Sequence, residues 1–132
     1  MSNTYNWYAS LIKPSWAPPN WLFGPVWSIL YLVIAITFGY VFYRASNGKI
    51  PWIVALPFAL NLLFNFAFSP IQFGLKNNLL ACTDILLILI TQIWAGNFIW
   101  PYSKAIVYAN IPYLLWVSFA TILQINITLL NL

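Results

Sequence analysis

The sequence predicts an all-α integral membrane protein, a bundle of four transmembrane helices in one domain over residues 1–132. Hydrophobic residues make up 63% of the 132 positions, charged residues only 5%, and the mean hydropathy is +0.84. Ordinary soluble domains carry roughly 25% charged residues. The few charges divide the chain into uncharged runs, and each run can cross a hydrocarbon core, which needs about 20 residues. These runs are 14–43, 50–75, 85–103 and 105–132.

Two segments precede the first predicted helix. Residues 1–12 begin with polar side chains and are too short to cross a bilayer, so we expect a short interfacial helical turn around Trp7 and Tyr8. Residues 13–27, named here the lid segment, contain five Gly or Pro residues and three Trp residues. Proline fixes φ, and each indole offers a large apolar face with one N–H. We therefore predict that the lid segment is an ordered, non-helical cover over the helices.

Four predicted helices follow, with Gly, Asn and Pro residues marking their ends. They run from Phe23 or Pro25 to Tyr43, from Pro51 to Phe73, from Leu79 to Gly96 or Trp100, and from Ser103 to Leu130. A proline inside a helix removes one backbone hydrogen bond and favours a kink. We expect such kinks at Pro57 and Pro70 in the second span and at Pro112 in the fourth.

The charge and residue inventory excludes several function classes. The net charge of +4 comes from residues near predicted helix ends, which indicates interfacial anchoring and no nucleic-acid partner. The chain has no histidine and a single cysteine, Cys82, so an intrachain disulfide and the usual zinc and haem-iron ligands are missing. We therefore predict no metal site and no required cofactor. Asp84 is the only carboxylate, so ordinary acid/base or hydrolytic chemistry has no candidate set of residues.

Two features of the spans allow more than one interpretation. Asp84 is a functional candidate because it is an intramembrane acid, but a carboxylate about one turn into the third helix also gains from the helix dipole at interface depth. Ala55 and Ala59 form a small-xxx-small pair on the second helix, which lets another helix approach closely. That pair fits a homodimer contact and packing within one chain equally well.

Polar and small residues mark the inner helix faces, because lipid tails already surround apolar side chains favourably. On the second span the polar residues Asn61 and Asn65 recur at one-turn spacing, and the fourth span carries a comparable stripe that includes Tyr113. Such groups either link neighbouring helices, each bond contributing roughly 0.6 kcal/mol, or line a cavity. Four aromatic residues would cap or line the same interior, which favours a cavity for a flat, largely apolar ligand. They are Trp16, Trp27, Tyr31 and Trp116.

Motifs along nearly the whole chain from Trp7 onward resemble the TspO/MBR family of tryptophan-rich sensory proteins and translocator proteins, also called peripheral benzodiazepine receptors. The motifs are Lys13-Pro14-Ser15-Trp16-x-Pro18-Pro19, Pro25-Val26-Trp27, the stretch from Asn61 to Gly74, and the run from Pro112 through Trp116 to Thr121. The resemblance implies a helical membrane bundle, often dimeric, that binds porphyrins and flat hydrophobic drugs in a pocket under the first loop.

The resemblance also implies the residues that line this pocket. Positions matching the family pocket are Tyr8, Trp16, Trp27, Trp116 and Ala120, with Asn61 and Phe64 nearby on the second helix. Trp27 and Trp116 would donate their indole N–H groups to a ligand oxygen. They would also be the reactive residues if the chain degrades porphyrin in light, as some bacterial members are reported to do.

Two departures from the family pattern change what we expect. The first family helix would precede Trp7, where this chain has six residues, so we expect four full spans with that helix missing or truncated. No aromatic residue followed by Lys or Arg comes after Gln124, so sterol binding is not predicted.

Taken with the residue pattern, the resemblance predicts a multi-pass receptor-like protein in the lipid bilayer that binds tetrapyrroles such as protoporphyrin IX. Because no histidine is present, the iron-free ring is the expected form, or haem held without strong axial ligation. Light-dependent porphyrin degradation is the enzyme alternative, and tetrapyrrole transport is another. A scaffold without a ligand is a third, favoured if the polar stripes prove to be fully occupied by contacts between helices.

Overall fold

A computed structural model describes residues 11–131. The predicted interfacial turn around Trp7 and Tyr8 lies outside these residues, as does the proposed ligand contact of Tyr8. The described part contains helices α1 (Asn20–Ser46), α2 (Trp52–Ser69), α3 (Asn78–Ile99), α4 (Lys104–Ala109) and α5 (Ile111–Leu130), with a π-helical turn at Pro70–Gly74 after α2. Within this part, four helices are long and apolar enough to cross a membrane, namely α1, α2, α3 and α5.

Helix α1 begins earlier than predicted. Pro19 is in the extended conformation, and the first helical bond runs from the Leu22 N–H to the Pro19 carbonyl. Pro25 lies inside the helix near its start, where one missing N–H is tolerated. Residues 20–27 of the lid segment are therefore helical, and the prediction that the whole segment is irregular was wrong. The non-helical part is residues 13–19.

Helix α1 ends at the predicted Asn-Gly turn. Gly48 has a φ of +80°, a left-handed conformation that costs glycine little because it has no Cβ. Arg44 stands in the last helical turn, where a cation complements the helix dipole, and its guanidinium lies 5.5 Å from the centroid of the Tyr40 ring.

Pro70 and Pro112 each mark a place where the regular α-helix is interrupted, which is a larger change than the expected kink. At Pro70 the α-helix gives way to a π-helical turn, closed by a 2.9 Å bond from the Leu75 N–H to the Pro70 carbonyl. At Pro112 the predicted fourth helix divides into α4 and α5, because Pro112 has no N–H to donate to the carbonyl four residues earlier. Asn110 stands at the division, outside helical geometry, with φ −95° and ψ 6°. The expectation of a single helix from Ser103 to Leu130 was therefore wrong.

Side-chain caps set the starts of the two helices that follow turns. The Asn77 Oδ1 accepts a 2.9 Å bond from the Leu80 N–H at the start of α3. The Ser103 Oγ accepts a 3.3 Å bond from the Ile106 N–H at the start of α4. Both residues are among the preferred types for a helix N-cap, because their side chains satisfy N–H groups that have no partner inside the helix.

Helix α3 is the centre of the bundle and packs most extensively against α2 and α5, while α1 contacts α2 and α4. The predicted small-residue pair is divided between two environments: Ala55 is buried in the core of the chain, and Ala59 is exposed. Ala55 thus packs within the chain, and the two residues do not form one exposed stripe. The homodimer stays a prediction.

Candidate functional site

Residues 11–19, which comprise the non-helical part of the lid segment and the two residues before it, are docked on the end of α5. Asn131 forms two hydrogen bonds with the backbone of Ile12: its Oδ1 accepts from the Ile12 N–H at 3.1 Å, and its Nδ2 donates to the Ile12 carbonyl at 2.8 Å. A further bond, from the Ala17 N–H to the Pro14 carbonyl, closes a turn within the segment. Leu11 and Ala17 pack against the buried Leu123 and Ile127 of α5. The lid segment is thereby held closed over one end of the bundle.

This docking predicts a local effect of Asn131. We expect Asn131→Ala to accelerate backbone hydrogen exchange at residues 11–19 by about 30-fold, because two net bonds of about 1 kcal/mol each are lost. Hydrogen-exchange mass spectrometry of the purified chain measures this directly. Asn126→Ala is the control, since the Asn126 amide bonds only to the Ile122 carbonyl of its own helix in the described structure. Equal protection in both variants would mean that the Asn131 bonds do not hold the lid.

Two aromatic rings of the lid segment meet two of α5, and we name the four the lid cluster: Trp16, Phe23, Trp116 and Phe119. Trp16 lies edge-on to Phe119, with ring centroids 5.7 Å apart, and Phe119 lies 5.6 Å from Trp116. Phe23 meets the other side of Trp116 at 5.7 Å. These separations fall within the favourable range for aromatic pairs. The lid cluster therefore joins the lid to α1 and α5, with Trp16 at its rim, 45% exposed.

Trp27 and Tyr31 form the next aromatic layer along α1. The Trp27 ring lies 5.4 Å from Tyr31 and 6.3 Å from the buried Tyr113 of α5. Trp27 and Trp116 are both partly buried and both pack against the same hydrophobic core. The two indoles that the sequence singles out thus pack against the same core from two different helices, α1 and α5.

The indole N–H of Trp116 has no acceptor. Its Nε1 atom is buried, and no hydrogen-bond partner stands near it among the described residues. A buried donor without a partner costs roughly 1–3 kcal/mol, so such groups are rare in folded proteins. The Trp116 N–H is therefore a donor whose hydrogen-bonding capacity is not used within the described part of the chain.

A chain of hydrogen bonds crosses the middle of the bundle just below. Tyr31 donates to the Asn65 Oδ1 at 3.0 Å, and the Asn65 Nδ2 donates to the Tyr113 hydroxyl at 2.8 Å. Tyr113 in turn donates to the Asn61 Oδ1 at 2.8 Å. The Asn61 Nδ2 completes the chain by donating to the Ile88 carbonyl at 2.9 Å and to the Thr91 Oγ1 at 3.1 Å. We name this chain the central polar network, and it links α1, α2, α3 and α5.

The other residues predicted to contact a ligand are Asn61, Phe64 and Ala120, and they do not belong to the lid cluster. Asn61 is 0% exposed, and both ends of its amide bond to protein groups. Phe64 and Ala120 are partly buried and pack against the hydrophobic core, Ala120 one turn after Trp116 on α5. The polar residues on α2 thus act as links between helices, whereas the aromatic residues lie under the lid.

Asp84 lies two turns into α3 and is 5% exposed. Its Oδ2 atom has no hydrogen-bond partner in the described part of the chain. The helix dipole acts mainly within the first turn, so a residue this far into the helix gains less from it than expected. Asp84 is not accompanied by further metal ligands: residues 11–131 contain no group of three His, Cys, Asp or Glu side chains that could hold an ion.

Two members of the lid cluster were missed by the sequence reasoning. Phe23 lies one turn before Trp27, and Phe119 lies three residues after Trp116, spacings that place each pair on one side of a helix. This aromatic spacing was a usable signal.

Lys13 also lies in this region, outside the spanning helices, and burial lowers the pKa of its ammonium from the usual 10.5. Its Nζ donates to the Leu11 carbonyl.

Comparison with known proteins agrees with this architecture. The family model described as TspO/MBR matches residues 1–130. Over 129 residues the chain is 42% identical to the "Tryptophan-rich protein TspO" of Archaeoglobus fulgidus, covering 95% of this chain and 80% of that protein. Its counterpart of the same name in Bacillus cereus is 39% identical over 126 residues, covering 95% and 80%. The human "Translocator protein" is 35% identical over 126 residues, covering 89% and 70%.

These matches and the four spanning helices establish an integral, multi-pass membrane protein with an all-α fold. The family expected from the sequence motifs is thereby confirmed. This chain belongs to the TspO/MBR family.

Proposed function

We propose that this protein is a membrane receptor-like protein that binds porphyrins and similar flat hydrophobic ligands at the lid cluster. The observation that carries the proposal is the buried Trp116 N–H without an acceptor, beneath a docked lid. A ligand oxygen would accept this hydrogen bond, and the bond would be strong because water is largely excluded there. Family membership supports a receptor-like role in the membrane, and the tetrapyrrole ligand is the finer part of the proposal.

Aromatic side chains make the lid cluster suitable for a flat ring system. Indole and phenyl faces offer large rigid surfaces for stacking, and such contacts contribute about 0.5–1.5 kcal/mol beyond the burial of area. Trp27 and Tyr31 extend this surface along α1, below the lid cluster. A planar, mostly apolar ligand with a few peripheral oxygens matches these groups better than a charged metabolite does.

The central polar network favours binding over passage through the bundle. A molecule as wide as a tetrapyrrole that moved along the bundle axis would break the bonds of Tyr113 with Asn61 and Asn65. Each broken bond would leave a buried polar group without a partner, which costs roughly 1–3 kcal/mol. Binding at the lid end requires no such loss.

A titration of purified protein in detergent tests the proposal. Protoporphyrin IX should bind saturably, and Trp27→Ala should raise its dissociation constant roughly ten-fold, because one aromatic wall and its buried area are lost. Following the porphyrin absorption band avoids the change in protein fluorescence that any Trp substitution causes.

Trp52→Ala is the matched control for this titration. Trp52 is the first residue of α2 and is 62% exposed, so its removal should leave the affinity unchanged. Equal affinity of the wild type and Trp27→Ala would contradict the assignment of the pocket. Illumination of the same complex separates binding from degradation: a new absorbing product that requires both Trp27 and Trp116 would indicate the enzymatic alternative.

A further inference from the structure

A second hollow, distinct from the lid cluster, lies between the far halves of the helices. We infer that it binds a small neutral molecule whose head group both donates and accepts hydrogen bonds, such as a primary amide or an alcohol. Its volume is about 230 Å³. Pockets for drug-sized ligands span roughly 300–1,000 Å³, so the occupant is smaller than a porphyrin. The inference does not depend on the function proposed above.

Two residues that line this hollow, Gln92 and Asn110, carry three buried polar atoms without partners. Gln92 is only 8% exposed, yet neither its Oε1 nor its Nε2 has a hydrogen-bond partner in the described part of the chain. Asn110 also lines the hollow, and its Oδ1 is likewise buried without a partner. The Asn110 Nδ2 is already used, donating to the Thr37 Oγ1 and to the Ile106 carbonyl. The residues that line the hollow therefore carry one amide donor group and two acceptors that are not paired within the described part of the chain.

A membrane interior makes such unpaired groups especially unfavourable. Away from water, an amide keeps its full desolvation penalty unless another group pairs with it. The buried amide of Asn61, by contrast, is paired with Tyr113 and Thr91. Gln92 differs from Asn61 in this respect although both are buried amides on adjacent helices. A partner that enters the hollow from outside the chain accounts for the difference.

The side chains that line the hollow determine what size and charge the remainder of the ligand can have. Phe38 and Phe58 meet edge-on at 4.8 Å, and Trp100 closes another side. The Lys104 ammonium lies 5.1 Å from the Trp100 ring centroid, a cation–π contact that steadies this wall. No residue that lines the hollow is charged, so a carboxylate, phosphate or ammonium would enter without a counter-charge. A neutral head group on a compact apolar or aromatic body fits these walls.

The hollow and the lid cluster are different places on the molecule. Phe38, which lines the hollow, follows Trp27 by eleven residues on α1, a distance of about 16 Å along the helix axis. The Tyr113 ring lies between them, 6.4 Å from Phe38 and 6.3 Å from Trp27. Occupation of one site therefore does not require occupation of the other.

The test uses 4-fluorobenzamide as the probe, because its primary amide can pair with the Gln92 amide and its ring suits the aromatic walls. Fluorine NMR of the purified, detergent-solubilised chain should show saturable binding. Gln92→Leu keeps the bulk of the side chain but removes both polar atoms, and should weaken binding at least ten-fold. Gly96→Leu should abolish it, since Gly96 lines the hollow and a Cβ there would meet no atom within 4 Å, so the new side chain can fill the space.

Two matched controls and one cross-check complete the experiment. Gly39→Leu repeats the glycine change in α1, where a Cβ also meets no atom within 4 Å, and Asn126→Leu repeats the loss of an amide away from the hollow. Both should bind the probe as the wild type does, and Gly96→Leu should keep wild-type affinity for protoporphyrin. Probe binding that survives Gln92→Leu and Gly96→Leu unchanged, or no saturable binding to the wild type, would overturn the inference and leave a hollow filled only by water.

Discussion

Trp116→Phe is expected to weaken protoporphyrin binding about ten-fold while leaving the folded protein as stable as the wild type. The substitution removes the indole N–H but keeps an aromatic ring against Phe23 and Phe119. In the ligand-free structure this N–H has no partner, so its removal breaks no hydrogen bond. With ligand bound, the same change removes a bond to the ligand oxygen, and the loss falls entirely on binding.

The measurements must show that Trp116→Phe raises the dissociation constant for protoporphyrin without lowering the stability of the protein. Porphyrin titration gives the dissociation constant, and thermal unfolding in the same detergent gives the stability of each variant. Trp94→Phe is the control, because Trp94 lies edge-on to Phe98 of its own helix and is not part of the lid cluster. If Trp116→Phe binds protoporphyrin as tightly as Trp94→Phe does, the Trp116 N–H is not a ligand donor. Trp116→Ala should bind more weakly still, since the aromatic surface is lost as well.

Asn61→Leu is expected to have the opposite pattern, a large loss of stability. Asn61 is fully buried and makes three hydrogen bonds, to Tyr113, Ile88 and Thr91. Its replacement leaves the Tyr113 hydroxyl proton without an acceptor inside the bundle. Single bonds between membrane helices average only about 0.6 kcal/mol, but the loss of several bonds and the orphaned partner together should cost about 2 kcal/mol. Equilibrium unfolding in mixed micelles measures this free energy.

A double-mutant cycle identifies the source of the loss. Tyr113→Phe combined with Asn61→Leu should be less destabilised than the sum of the two single variants, because the orphaned hydroxyl is absent in the double variant. Asn126→Leu is the control for replacing an amide on a membrane helix, and it should stay within about 0.5 kcal/mol of the wild type. If Asn61→Leu is as stable as this control but binds protoporphyrin poorly, Asn61 is a ligand contact, as the family resemblance implies.

The extent of the spans followed from the sequence, whereas the behaviour of their prolines did not. The spacing of the charges was enough to predict four spans, because a run of about 20 uncharged residues has few alternatives in water. Pro57, Pro70 and Pro112 looked alike as helix-kinking residues. In the structure Pro57 lies within an unbroken α2, Pro70 begins a π-helical turn, and Pro112 separates α4 from α5. A proline inside a helix allows all three outcomes, so the residue type alone does not decide among them.

Three of the aromatic residues of the candidate site were also predicted from the sequence. Trp16, Trp27 and Trp116 were singled out by their positions, and they lie under a docked lid and on the inner faces of α1 and α5. Their neighbours Phe23 and Phe119 were missed, although helical spacing places them beside the two indoles. Nothing in the sequence distinguished Gln92 from Thr91, the polar residue next to it in the third span.

By itself, then, the chemistry of the chain determined where lipid surrounds it, which family it belongs to, and which side chains turn inward. The spans and the inward faces are properties of composition and periodicity, whereas the family was indicated by the resemblance of short motifs and shown by the family match. Each of these can be evaluated along one segment at a time. The tertiary structure decided which inward polar groups are satisfied: Asn61 pairs with groups on α3 and α5, while Gln92 and the Trp116 indole remain without partners. Hydrogen-bond satisfaction depends on atoms contributed by other helices, so no single segment contains the information needed to tell a structural amide from a binding one.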